Sequence, residues 1–171
     1  MGGTFIDDAA IFGANYLYLV LLFAALAWFV IQPRSDQIDM AIWGLVALPT
    51  MYLLLILAGI VYFDPRPFVA ENFTPLITHA PDNGFPSDHT LLCSATSSIV
   101  FCLDKRMSSV LWLLTALVGA SRVYTGLHHP LDILTSVIIA FTVTYVVWKF
   151  AMPSLKLTGG YQSLRRTFER P

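Results

Sequence analysis

The chain has 171 residues, of which 56% are hydrophobic and only 12% are charged. Its mean hydropathy is +0.67. Soluble domains carry about 25% charged residues, so this composition excludes an ordinary soluble domain and indicates a membrane protein. The formal net charge of -1, without a cluster of basic residues, argues against nucleic-acid binding. Because no repeat or linker divides the sequence, we expect one domain over residues 1–171.

Five apolar segments follow one another along the chain. A bilayer core about 30 Å thick requires about 20 helical residues. Polar sequences containing proline end the first two segments. The predicted spans are 11–31, 38–63, 89–103, 108–124 and 130–150. Asp7 and Asp8 stand where a signal peptide would carry Lys or Arg, so we expect the first span to be retained. The fold class is therefore all-α, a polytopic transmembrane helical bundle of about five spans.

The third span differs from the others in its small polar residues, which are Ser94, Thr96, Ser97 and Ser98. Small residues let helices approach closely, and hydroxyl groups can bond across helices. We therefore place this short span at the centre of the bundle. Cys93 and Cys102 lie in the same span, nine residues apart, and a disulfide between them is not expected.

The distribution of basic residues predicts the orientation of the bundle. With five spans, the loops at 64–87 and 122–129 share one side with the N-terminus. Only Arg66 and Arg122 lie on that side, whereas the opposite side carries Arg34, Lys105, Arg106, Lys149, Lys156, Arg165, Arg166 and Arg170. By the positive-inside rule, the C-terminus is cytoplasmic and the N-terminus lies outside. The cytoplasmic tail at 153–171 is expected to serve topology and to attract anionic lipid head groups.

The segment from Gly84 to Thr90 leads directly into the third span. Ser87 or Asp88 is suited to cap that helix. The free backbone N–H groups and the positive end of the helix dipole would then lie beside the Ser87 hydroxyl and His89. This arrangement predicts a phosphate-binding site on the outward side.

A second group of reactive residues surrounds the start of the fifth span. His128 and Asp132 are four residues apart across that start, so the carboxylate can accept a hydrogen bond from the imidazole. Such a contact fixes the tautomer and leaves the other ring nitrogen free to attack. Arg122, at the end of the preceding helix, can offer its planar fork to phosphate oxygens.

Together these residues resemble a known family. Arg66-Pro67, Pro86-Ser87-Asp88-His89, and Ser121-Arg122 followed by His128 and Asp132 match, in order and spacing, the three motifs of the type-2 phosphatidic acid phosphatase superfamily. The resemblance implies a metal-independent phosphohydrolase. His128 would attack phosphorus and form a phosphohistidine, Asp132 would orient His128, and His89 would protonate the leaving oxygen. Arg66, Ser87 and Arg122 would bind the phosphate.

Three positions depart from the pattern of this family. Gly59 stands where the first motif usually has a lysine, Asp88 replaces a common glycine, and Ser136 replaces another. The form with Asp88, the short chain and the sequence from Asp64 to Phe68 resemble the bacterial undecaprenyl pyrophosphate phosphatases. That branch implies a bacterial plasma-membrane enzyme of lipid carrier recycling, with its active site on the extracytoplasmic side and a motif core at 64–136.

Some alternatives remain open at this point. The same chemistry would serve a phosphatidylglycerophosphate or phosphatidate phosphatase, or a lipid phosphotransferase. A remote alternative is a non-enzymatic lipid carrier. The expected partners are a polyprenyl or glycerolipid phosphate and membrane lipids, with no nucleic acid and with the oligomeric state open. We expect no cofactor and no metal, since no cysteine or carboxylate pattern indicates zinc. Possible accessory residues are Asp88, Tyr124 and His79, and the role of His129 is open.

Overall fold

The computed structural model describes residues 3–168, apart from the side chain of Phe168, and this part of the chain is built from helices. In chain order they are α1 (Phe5–Val30), α2 (Arg34–Val61), α3 (Pro67–Ala70), α4 (Asp88–Phe101), α5 (Lys105–Tyr124), α6 (Pro130–Val146), α7 (Met152–Lys156) and α8 (Gly159–Phe168). A π-helical turn, Val147–Ala151, joins α6 to α7. The predicted all-α class is confirmed.

The short helix α4 lies at the centre of the bundle, as the sequence predicts. One side packs in a core with α2 and α6, where Leu91 and Ala95 meet residues such as Met51. The other side packs in a second core with α1 and α5, where Cys93 meets Leu21. Both cores place apolar atoms of neighbouring helices in contact, and this packing fixes the position of α4.

Hydroxyl groups connect α4 to α5 inside the bundle. Ser97 Oγ lies 3.0 Å from Thr115 Oγ1, and the Ser108 hydroxyl donates to the Ser97 carbonyl at 2.8 Å. All three side chains are buried. Since buried polar groups are costly without partners, these contacts stabilise Ser97 at the centre, whereas the buried hydroxyls of Ser94 and Ser98 find no partner among the described residues.

The helix lengths refine the predicted spans. Within the described residues, four helical stretches are long and apolar enough to cross a bilayer: Phe5–Val30, Arg34–Val61, Lys105–Tyr124 and Pro130–Lys156. The remaining predicted span is α4, whose 14 residues extend about 21 Å. The first helix begins six residues earlier than predicted, because Thr4 and Asp7 form a capping box at its start. The sides of the membrane remain predictions.

The two ends of the bundle have different characters. At one end, the Tyr124 hydroxyl at the end of α5 donates to Asp7 in the first turn of α1 at 3.1 Å. The loops at 62–87 and 125–129 meet at this same end. At the other end, Lys156 and Tyr161 both hydrogen-bond the buried carboxylate of Asp39 in α2. The polar tail, for which the sequence predicts no helix, therefore folds back on the bundle through α8.

Candidate active site

His128 lies in the tight turn between α5 and α6 and is only 2% exposed. Gly126 has a φ of +79°, a left-handed conformation that glycine adopts without strain. The Leu127 and His128 amides donate back to the Arg122 carbonyl at 3.1 and 3.3 Å. This turn directs the imidazole into the bundle, where the loop at 62–87 covers it.

Two acceptors fix the tautomer of His128. Its Nδ1 lies 2.8 Å from the Gly84 carbonyl oxygen and 3.3 Å from Asp132 Oδ2. A carbonyl oxygen only accepts hydrogen bonds, so Nδ1 carries the proton. The lone pair of the neutral ring is therefore on Nε2, the nitrogen that faces away from both acceptors. This is the state that a nucleophilic histidine requires.

Two buried arginines converge on that lone pair. Arg66 Nη1 is 3.4 Å and Arg122 Nη2 is 3.2 Å from His128 Nε2. Backbone carbonyls hold both guanidinium groups: Arg66 donates to Leu127 at 2.9 Å and Arg122 donates to Ala14 at 3.2 Å. The buried Nε of Arg122 finds no hydrogen-bond partner among the described residues. Unused donors beside two positive charges suit a phosphoryl group.

The surroundings favour the uncharged form of His128. Burial lowers its pKa below the ordinary histidine value, and the positive charges of Arg122 and Arg66 lower it further, against the opposing effect of Asp132. On the solvent side of Arg66, Asp82 accepts from Nε at 2.6 Å. Desolvation acts to raise the pKa of Asp82, but the hydrogen bond and charge of Arg66 prevail and lower it. Arg66 is thus held by an ionised carboxylate.

Asp132 is fully buried in the first turn of α6. Its Oδ2 accepts the backbone N–H of His129 at 2.8 Å, which caps the helix. Ser136, which stands where the family often has glycine, donates to the carbonyls of Ser87 and Asp132 at 2.7 and 2.9 Å. This serine therefore ties the start of α4 to the start of α6, and with it the second motif to the third.

The second motif forms the start of α4. Ser87 is the N-cap, and its hydroxyl accepts from the Thr90 amide at 3.4 Å and donates to Thr90 Oγ1 at 3.1 Å. Asp88 contacts the His89 ring through Oδ1 and Nδ1, 2.8 Å apart, and interacts electrostatically with Arg122. The contact leaves Nε2 of His89 as the nitrogen available for proton transfer.

A cavity of about 430 Å³ opens beside His89. Its walls come from α1, α2 and α4, and the Tyr18 ring meets the His89 ring edge to face at 4.6 Å between centroids. Apart from Tyr18, Asp88 and His89, its lining includes Tyr52 and aliphatic side chains such as Leu48. An apolar cavity next to a polar site suits an amphiphilic ligand.

The remaining candidate residues lie further from the nucleophile. His79 Nδ1 lies 3.8 Å from Asp82 Oδ1, so His79 lies on the solvent side of the ion pair between Arg66 and Asp82. Tyr124 is exposed and its hydroxyl is engaged by Asp7. His129 Nδ1 lies 3.3 Å from Asp64 Oδ2, behind the catalytic pair.

Sequence reasoning missed four contributors to this site: Asp64, Asp82, Asn83 and Gly84. The main role of Gly84 is a backbone carbonyl, which no residue type reveals. A Cβ atom on Gly84 would lie 3.3 Å from Asp132 Oδ2 and 3.4 Å from Arg66 Cγ, so a side chain at this position would crowd two residues of the site. Asp64, His129 and Asp132 also form a group whose geometry could hold a cation, with one donor atom of each within 4.8 Å of the others.

Comparison with known proteins identifies the family of the chain. The family model described as "PAP2 superfamily" matches residues 41–155. The chain is 32% identical over 149 residues to undecaprenyl-diphosphatase BcrC of Bacillus subtilis, a match covering 85% of this chain and 75% of that protein. It is 30% identical over 145 residues to the putative undecaprenyl-diphosphatase YbjG of Escherichia coli, covering 82% and 72%.

Solved structures show the same fold. LpxE of Aquifex aeolicus superimposes with a TM-score of 0.64 at 23% identity, over 87% of this chain and 88% of that one. A PAP2-type phosphatidylglycerolphosphate phosphatase of Bacillus subtilis superimposes with a TM-score of 0.61 at 21% identity, over 93% and 81%. The chain therefore belongs to the PAP2 superfamily and is a multi-pass membrane lipid phosphatase.

Proposed function

We propose that this enzyme hydrolyses undecaprenyl pyrophosphate to undecaprenyl phosphate and inorganic phosphate through a phosphohistidine on His128, without a metal ion. The observation that carries the chemistry is the approach of Arg66 and Arg122 to the unprotonated Nε2 of His128, at 3.4 and 3.2 Å. The names of the relatives from Bacillus subtilis and Escherichia coli support the choice of lipid.

In the first step, His128 Nε2 attacks the terminal phosphorus. The bond from that phosphorus to the bridging oxygen breaks, and its electron pair leaves with undecaprenyl phosphate. Protonated His89 gives its Nε2 proton to the leaving oxygen. The arginines neutralise the charge on the phosphoryl oxygens, which are held in place before the reaction.

Asp132 and Gly84 act on the imidazole itself. The ring becomes positively charged as Nε2 bonds to phosphorus, and the nearby carboxylate of Asp132 stabilises that charge. The Gly84 carbonyl keeps the proton on Nδ1 throughout. In the second step, neutral His89 takes a proton from water, the resulting hydroxide attacks the phosphohistidine, and the bond from nitrogen to phosphorus breaks to release phosphate.

The lipid substrate fits the position of the site at one end of the bundle. The cavity between α1, α2 and α4 joins His89 to an apolar surface, so a polyprenyl chain can remain among membrane lipids while its head group meets the arginines. The basic residues concentrated at the opposite end support a bacterial plasma-membrane location with this site facing outward.

The test is phosphate release in detergent with EDTA present. Undecaprenyl pyrophosphate, phosphatidate and phosphatidylglycerophosphate are compared for the unaltered protein and for His128→Ala. We expect EDTA-resistant release from the polyprenyl substrate and its near-complete loss in His128→Ala, with a covalent phosphoenzyme trapped by acid-free quenching of the unaltered protein. Preference for a glycerolipid would refute the substrate, and full activity in His128→Ala would refute the mechanism.

A labelling experiment tests the orientation. Thr74→Cys, in the exposed loop near the site, and Gln162→Cys, in α8, are treated in intact cells with a membrane-impermeant maleimide. The outward-facing site predicts labelling of Thr74→Cys alone, and labelling of Gln162→Cys alone would reverse the orientation. The native Cys93 is buried and Cys102 is partly buried, so the unaltered protein measures the background labelling of both and serves as the control.

A further inference from the structure

Asp64 lies behind the catalytic pair in a cluster that the proposed mechanism does not use. Its Oδ2 is 3.3 Å from His129 Nδ1, and a carboxylate oxygen of Asp64 and one of Asp132 lie within 4.8 Å of each other. The Asp64 carbonyl accepts the Gly84 amide at 2.9 Å, which fixes the residue in place. Two carboxylates this close repel when both are ionised, so one of them commonly keeps a proton.

One carboxylate oxygen of Asp132 lacks a hydrogen-bond donor within the described part of the chain. Its Oδ2 already receives the His129 amide and faces His128 Nδ1. Its Oδ1 is buried and receives no hydrogen bond from the described residues. Buried acceptors are normally satisfied, so a missing donor at this atom requires an explanation. A protonated Asp64 supplies one.

We propose that Asp64 is a positioning residue that, as a carboxylic acid, donates a hydrogen bond to Asp132 and so keeps Asp132 the ionised acceptor beside His128. This role in turnover rests on the hydrolysis proposed above. The proton stays with the Asp64–Asp132 pair throughout, and no bond to the substrate is made by Asp64.

The electrostatic surroundings of Asp64 are consistent with this state. Burial raises its pKa, the charge and hydrogen bond of Asp132 raise it further, and His129 opposes them. Arg66 is a cation two residues further along the loop of Asp64, and its guanidinium is engaged by Asp82 and the Leu127 carbonyl. A pKa raised in the folded protein means that the carboxyl keeps its proton to a higher pH than it would in the unfolded chain.

Two substitutions of Asp64 distinguish the hydrogen bond that it donates from the negative charge that it could carry. Asp64→Asn removes the charge but retains an N–H donor, whereas Asp64→Leu has similar size and no donor. We expect kcat/KM of Asp64→Asn to stay within about threefold of the unaltered enzyme and that of Asp64→Leu to fall at least about tenfold, mainly in kcat. Equal losses of kcat/KM in Asp64→Asn and Asp64→Leu would show that the negative charge of Asp64 is what turnover needs. No loss in either variant would show that Asp64 has no role in turnover. Each of these results would overturn the proposal.

The protonation of Asp64 can also be tested without substrate, so that this test does not depend on which lipid the enzyme hydrolyses. The thermal unfolding midpoint in detergent is followed from about pH 4 to about pH 9 for the unaltered protein and Asp64→Asn. Because the folded pKa is raised, the unaltered protein should lose stability relative to Asp64→Asn as pH rises from the unfolded value through the folded one. Asp8→Asn, at an exposed carboxylate of α1, is the control and should follow the unaltered protein.

Two further experiments address the case in which Asp64→Asn does not fold and the case in which a cation binds at this cluster. If Asp64→Asn does not fold, His129→Gln removes the group that opposes the raised pKa, so the loss of stability should move to higher pH. An unchanged profile in His129→Gln would overturn the proposal. A cation joining Asp64, His129 and Asp132 would instead make the midpoint fall when EDTA is added, and that result would also overturn it.

Discussion

Asp132→Asn is the substitution that tests the catalytic geometry most directly. If the asparagine oxygen takes the place of Oδ2, it can still accept the His129 amide at 2.8 Å and the proton of His128 Nδ1 at 3.3 Å. The amide nitrogen then takes the place of Oδ1, where it can donate to the neighbouring carboxylate of Asp64 once Asp64 gives up its proton. The change therefore removes charge and leaves the shape of the site intact.

The expected loss is moderate because the tautomer survives. In a Ser-His-Asp triad, the corresponding substitution costs about 10⁴-fold because the histidine takes the wrong tautomer. Here the Gly84 carbonyl, 2.8 Å from Nδ1, can only accept and therefore keeps the proton there. What is lost is one charge-assisted hydrogen bond, about 1.5–3 kcal/mol, which is roughly 10- to 150-fold in kcat/KM.

Phosphate release at saturating and limiting lipid gives kcat and kcat/KM for this comparison. The matched control is Asp39→Asn, which removes another buried carboxylate at the opposite end of the bundle. The control should lower the free energy of unfolding through its contacts with Lys156 and Tyr161 but leave kcat/KM unchanged. A loss of about 10⁴-fold or more in a folded Asp132→Asn protein would refute the role of the Gly84 carbonyl.

Three other outcomes follow from the site. The acid limb of kcat/KM should lie below about pH 6.5, because the pKa of His128 is lowered and the neutral ring is the nucleophile; a limb above that value in the pH–rate profile would contradict this. Arg122→Lys should lower kcat/KM about 10- to 100-fold through loss of the planar fork, with Arg106→Lys as an unaffected control in the same assay. Asn83→Ala removes four side-chain hydrogen bonds and should lower the free energy of unfolding by about 2–4 kcal/mol in denaturant titration; no change would contradict that role.

Hydropathy and proline positions were sufficient to predict most of the helices. The start of α1 was placed too late because Asp7 and Asp8 make its first turn polar, although Thr4 followed by Asp7 is itself a capping signal. Helix α8 was missed because its ten residues are polar on average, although Tyr161 and Leu164 recur at helical spacing, and because its anchor, the contact of Tyr161 with Asp39, joins residues far apart in sequence. Long-range contacts of this kind leave no local pattern.

The motif spacing also placed His128, Asp132 and both arginines in one site. For Arg122, His128 and Asp132 this worked because they lie on a short turn beside helix ends, where sequence distance determines spatial distance. Arg66 is 62 residues from His128, and only the order of the spans and the family resemblance indicated that it belongs to the site. Gly84 and Asp64 escaped because the histidines they contact, His128 and His129, are 44 or more residues away and because a carbonyl oxygen belongs to every residue type. The second motif was read correctly as a helix start, but the Ser87 hydroxyl is occupied by its own cap.

The missing lysine of the first motif shows how the site is organised. A Cβ atom on Gly59 would lie 3.1 Å from the Phe85 carbonyl oxygen, so the last turn of α2 packs directly on the loop that leads to α4. Asn83 closes this contact by donating to the Gly59 and Tyr62 carbonyls at 3.0 and 3.2 Å. The same loop places the Gly84 carbonyl against His128. Where the family usually has a lysine, this chain thus has a close contact that helps to position the Gly84 carbonyl, the acceptor of the His128 Nδ1 proton. The positive charge beside His128 Nε2 comes from Arg66 and Arg122.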